Sequence, residues 1–117
     1  INIDGNTFIV GSNGKLSDNY QGNDELPFIF GKPNIDEFLK FKKIFDKSKF
    51  EYSQVKNLYF FPSKRWDIEF KNNKILKLPE KSEDISLDYL FEFLNDKKFS
   101  NIKIVDARIK NQIILNE

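Results

Sequence analysis

Apolar and polar positions alternate most sharply between Arg65 and Lys71. Trp66, Ile68 and Phe70 fall on one side of an extended chain, and Arg65, Asp67, Glu69 and Lys71 fall on the other. That is the pattern of a half-buried strand. Asn72-Asn73 follows with residues that tolerate positive φ, which predicts a two-residue hairpin loop into a second strand closed by Pro79. An earlier strand over about 54–61 breaks at Pro62-Ser63. In two other stretches the period becomes helical. After Asn34, the residues Ile35, Phe38, Leu39, Phe41 and Phe45 make one apolar face, with Lys40, Lys42, Lys43 and Lys47 directed to water or snorkelling. Asn34 is the cap, and Glu37 three residues on completes a capping box. A second helix, from about Ser86 to Lys97, carries Leu87, Leu90, Phe91 and Leu94 at i, i+3, i+4 and i+7, with Asp84 or Ser86 as cap.

Toward the ends the pattern is shorter in range. Ile1-Asn2-Ile3, Asp4-Gly5 and Thr7 to Val10 read as a hairpin, and Gly11 to Gly22 as a loop. Leu26 to Gly31 is an extended apolar segment whose Pro27 suggests an edge strand or a coil tucked against the core. Asn101 to Ile109 and Gln112 to Asn116 are β-rich. In the first of these the apolar positions shift from Ile102 and Ile104 to Val105, Ala107 and Ile109, which suggests a bulge or a strand covered on both faces. The order helix, strand, turn, strand therefore occurs twice, at about 35–70 and 85–116, without matching residues. The expected fold is α+β: a mostly antiparallel twisted sheet with two helices packed on one face.

Composition narrows the chemistry. A chain of 117 residues makes one domain, here 1–117, with room for a real core and no need of disulfide or metal. It holds no Cys and no His, so a thiolate nucleophile, a Cys or His metal site and an imidazole base are all excluded. No catalytic residue, metal ligand or cofactor is expected. A net charge of +1 argues against a dedicated polyanion binder, and no apolar run approaches a membrane span. The chain starts at Ile1 rather than Met, so any signal or membrane anchor would lie upstream.

Arg65-Trp66-Asp67, the alternation after it, the polar turn and Leu78-Pro79-Glu80 together resemble the extracytoplasmic β-domain of the FtsQ/DivIB cell-division proteins. Ile104-Val105-Asp106-Ala107-Arg108 is similar to that family's Val-Asp-x-Arg segment, and Ile3-Asp4-Gly5 opens the chain in the right place. The resemblance implies the C-terminal part of a longer protein, periplasmic, behind a POTRA domain and a single inner-membrane span. It also implies a non-enzymatic docking platform of the divisome whose partners are FtsB and FtsL, with FtsB adding a strand to the edge formed by the last strand. By position that edge is Ile109, Lys110, Asn111, Gln112, Ile113, Ile114 and Leu115. Ile109 stands where relatives can carry an aromatic, so the contact is expected to be more aliphatic here. Lys64 stands where a basic residue in relatives meets an acidic residue of FtsB, keeping the charge without the bidentate fork of arginine.

Blander roles compete with these. Trp66, beside Ile68 and Phe70, is expected in the core rather than in a binding hot spot. Asp67 belongs to the signature as a structural residue, and Asp106 with Arg108 to a polar pair that fixes a strand end. Gly11 to Lys15 lacks the glycine spacing of a phosphate loop. The alternative function is a nucleic-acid-binding α+β module, with Tyr59, Phe60, Phe61, Lys64 and Arg65 as a stacking platform. A hydrolase using paired carboxylates is a third.

Overall fold

The computed structural model describes residues 26–82 and 85–117, together with the backbone of four short strands: β1 (Asn2–Ile3), β2 (Asn6–Thr7), β3 (Ile9–Val10) and β4 (Leu16–Ser17). Then come β5 (Phe28–Phe30), α1 (Ile35–Asp46), β6 (Val55–Phe60), β7 (Trp66–Phe70), β8 (Ile75–Lys77), α2 (Leu87–Asn95), β9 (Ile104–Asp106) and β10 (Ile114–Asn116). β1 and β2 pair antiparallel as the Asp4-Gly5 hairpin predicts, the turn itself lying outside the described residues. The other eight form one sheet in the order β10-β9-β8-β7-β6-β5-β3-β4. The fold is α+β, and the sheet is mixed rather than purely antiparallel.

Two parallel pairs make it mixed, β5 with β6 and β8 with β9. Each spans a helix, because parallel neighbours need a crossover connection. β5-α1-β6 is then extended by the hairpin partner β7, and β8-α2-β9 by β10. The order seen twice in the sequence is thus two copies of one arrangement, laid side by side. This placement corrects the expectation for Leu26 to Gly31. β5 is an interior strand with Ile29 wholly buried, and Pro27 escapes the ladder by standing just ahead of the strand. β4 likewise puts a strand inside the stretch expected to be loop.

One row of side chains shows where the core lies. Ile29, Leu58, Ile68, Leu76 and Val105 are paired neighbours across five strands, and each is fully buried. Leu115 is the sixth member and is only half-buried, so the apolar layer reaches the sheet margin. Both helices cover this face. Phe41 of α1 stacks on Trp66 at 4.7 Å, while Phe50 stacks on Phe70 at 5.1 Å and meets Phe91 of α2 edge-on at 5.1 Å. Trp66 is 3% exposed, a core residue. On α1, Asn34 accepts the Glu37 amide at 2.8 Å, and its own side-chain amide donates to the Glu37 carboxylate at 3.1 Å. The buried stripe is narrower than expected: Phe38, Phe41 and Phe45 face inward, while Ile35 and Leu39 stay exposed. Lys42, expected toward water or snorkelling, is buried, its ammonium over the Tyr52 ring at 4.4 Å and bonded to Asp46.

Turn chemistry differs in one instructive way. Phe70 N–H donates to Lys74 O, and Asn73 N–H donates to Phe70 O, so the β7–β8 loop has three residues, 71–73, with only Asn73 at positive φ (70°). The β6–β7 loop repeats it over 62–64, Phe61 bonding Arg65 and Lys64 taking φ 67°. Three-residue hairpin loops place their last residue in the left-handed region. The second helix ends two residues earlier than expected, at Asn95, and Asp96 caps a 3₁₀ turn over Lys97–Phe99. Near residue 105 the apolar shift fits the second expectation, a strand covered on both faces, since Val105, Asp106 and Ala107 are all buried. Ile102 sits in a turn closed by its N–H on Phe99 O, and the strand starts only at Ile104.

Candidate functional site

β10 forms the margin of the sheet, and β9 is its one strand neighbour among the described residues. Hydrogen-bond parity says which of its groups remain open. Ala107 N–H donates to Lys77 O on the β8 side, so alternation turns Val105 to β8 and turns Ile104 and Asp106 to β10. Opposite those two stand Asn116 and Ile114. Their amides and carbonyls are therefore engaged with β9, those of Leu115 point outward, and the same alternation carried one residue ahead of the strand turns those of Ile113 outward. The side chains divide the same way: Ile113 and Leu115 pack against the core layer, and Ile114 is exposed on the opposite face.

The turn leading into β10 is locked from below. Arg108 donates to Asp106 through Nε at 2.9 Å and Nη2 at 2.7 Å, and its backbone N–H donates to the same carboxylate at 3.1 Å. These bonds hold the Asp106 carboxyl below the ordinary range, burial opposing them. Asn111 takes φ 61°, and Gln112 N–H closes on Ile109 O at 3.1 Å. Across the open face, Asp67, Lys77 and Asp106 stand side by side on β7, β8 and β9. Asp67 is itself buried, bonded to Arg65, and burial outweighs that partner so that its carboxyl titrates above the ordinary range.

Beside the margin runs a groove of about 860 Å³ between α2 and the β9–β10 turn. Ile109, Lys110, Asn111, Gln112 and Ile113 line one wall. Tyr89 and Phe93 line the other, ring to ring at 5.2 Å, with Phe93 continuing to Phe99 at 5.4 Å. Tyr89 and Ile109 are more than half exposed, at 55% and 56%. The sequence reading gave no site role to Tyr89 or Phe93. Their signal was present as an i, i+4 aromatic pair on the side of α2 away from Leu87, Leu90 and Leu94.

Lys64 does not join this groove. It lines an adjacent hollow of about 280 Å³ with Lys40, Trp66 and Glu37, and Glu80 and Lys81 wall both. The stacking platform of the nucleic-acid alternative is not assembled. Tyr59 stacks on Phe30 at 5.2 Å and donates to Glu69 at 2.9 Å, while Arg65 lies over Phe61 and is held by Asp67. Tyr59 and Arg65 are thus satisfied by neighbours, two of them acidic.

A family model described as "Cell division protein FtsQ/DivIB, C-terminal" matches residues 1–108. No curated protein matches the chain. The match ends at Arg108, so β10 and the turn before it lie just beyond the matched stretch.

Proposed function

The chain belongs to the FtsQ/DivIB cell-division family, and from that premise we propose that it is a non-enzymatic docking module of the divisome that takes FtsB as an added strand on β10. The parent protein is read as anchored in the inner membrane with this domain in the periplasm, and FtsL as the partner that arrives with FtsB. One observation carries the reading: the sheet ends in an aliphatic strand whose Ile113 and Leu115 backbone groups point outward, beside an aromatic groove. An edge of this kind supplies main-chain bonds for affinity and side-chain contacts for specificity. The first partner residue beyond Leu115 extends the buried row that begins at Ile29, so it is apolar. The neighbouring partner residues, on the open face, are polar.

Lys64, lining the adjacent hollow, suits an acidic residue of the same partner. The test is titration of the domain with a periplasmic FtsB fragment, for the parent and for a variant carrying Ile113→Pro and Leu115→Pro. Proline removes the two outward donors and spares those facing β9. The variant is expected to stay folded and lose binding; a folded variant that binds as tightly as the parent overturns strand addition.

A further inference from the structure

The margin that awaits a partner is also complementary to itself. Ile113, Ile114 and Leu115 are three consecutive aliphatic residues, and the stretch 112–116 holds none of the lysine, proline or bulge by which edge strands usually repel their own kind. Suppose two copies meet antiparallel about a two-fold axis at Ile114. Then Ile113 faces Leu115 of the second copy twice over, with their outward amides and carbonyls bonded, and Ile114 faces its own counterpart in a non-hydrogen-bonded pair. Ile113 of one copy extends the buried row past Leu115 of the other. Moving the axis by one residue to Ile113 or to Leu115 sets aliphatic side chains against Gln112 and Asn111, or against Asn116 and Glu117, so the Ile114 register is the favoured one.

We propose that β10 pairs with β10 of a second copy of this chain in this register, forming a continuous sheet across two domains. The pairing closes on itself and stops at two. It uses the backbone groups that strand addition would use, so self-pairing and FtsB binding exclude each other; this competition rests on the function proposed above, whereas the self-pairing does not. With only three paired positions a side, the association is weak and reversible, so it sets a threshold rather than a block.

The cysteine-free chain makes the register directly readable. A non-hydrogen-bonded antiparallel pair brings Cα atoms to about 4.5 Å, inside the range of a disulfide. In the same register Asn116 and its counterpart are offset by four residues, roughly 13 Å. Under mild oxidation Ile114→Cys is expected to cross-link at least about tenfold faster than Asn116→Cys. Sedimentation velocity should show concentration-dependent dimer for the parent. Ile114→Lys, which sets like charges side by side at a position exposed in the single copy, should abolish it. Equal cross-linking at the two positions, or a dimer that survives Ile114→Lys, overturns the proposal. The disulfide-linked Ile114→Cys dimer then separates the two ideas: if it still binds the FtsB fragment, the shared margin fails while self-pairing stands; if it binds none, the competition holds.

Discussion

Ile114 stands directly opposite Asp106 in the outermost ladder of the sheet, and Asp106 is gripped by Arg108, two residues further along the chain and past the end of β9. The exposed edge is therefore set by an ion pair one strand inward. Arg108→Gln keeps some hydrogen-bonding capacity but loses the charge and the fork. It is expected to leave the centre of the sheet intact and to speed amide hydrogen exchange selectively at Ile114 and Asn116, measured residue by residue by NMR. Unchanged exchange at those two amides would count against the clamp.

The two buried carboxyls of the open face titrate in opposite senses. Asp67 has its folded pKa raised by burial, so its ionised form costs stability above that pKa, and the cost is relieved as the pH falls through it. Asp106 has its folded pKa lowered by Arg108. Its contribution is fully present above the unfolded value, about 3.9, and is lost as the pH falls through the lower folded value. Carboxyl ¹³C titration is expected to find Asp67 protonating first on acidification, and Arg108→Gln to raise the Asp106 midpoint toward that of Asp67.

Tyr52 carries the one buried side-chain oxygen without a hydrogen-bond partner among the described residues. Its ring packs edge-on to Phe45 at 5.9 Å and lies under the Lys42 ammonium, contacts that phenylalanine preserves. Tyr52→Phe is expected to stabilise the fold by about 1 kcal/mol in urea unfolding, because the unpaired hydroxyl is removed without opening a cavity. A loss of stability would mean the hydroxyl is satisfied by an ordered water.

Gly31 ends β5 at φ 109°, and a Cβ there would lie 2.2 Å from the Phe60 carbonyl oxygen. Gly31→Ala meets both backbone strain and a main-chain clash. A loss of more than about 1 kcal/mol is expected, seen as a lower denaturation midpoint with unchanged m-value.

Most of the local structure was legible because local rules governed it. Asn34 and Glu37 announced α1, and the alternation at Trp66, Ile68 and Phe70 announced a strand with its apolar side inward. What escaped depended on partners distant in sequence. Nothing in Leu26 to Gly31 says that β6 will lie parallel beside it, so Pro27 suggested an edge where the chain makes an interior strand. Ile35 and Leu39 belonged to a plausible apolar stripe, yet of its members only Phe38, Phe41 and Phe45 are buried, and Lys42 is drawn under cover by Tyr52 and Asp46. At the candidate site, position alone indicated the segment Ile109 to Leu115, of which only Ile114 and Leu115 lie in β10. The groove wall at Tyr89 and Phe93 became visible only once α2 was seen to lie beside the margin.

The serial topology has a consequence for when this surface exists. Among the described residues β10 pairs with β9 alone, and β9 pairs inward with β8, a pairing that closes the β8-α2-β9 crossover and is distant in sequence and slow to form. A chain in which that closure has failed has no outer ladder to display. Availability of the margin thus reports that this crossover has closed, and a misassembled copy lacks the edge on which the proposed docking depends.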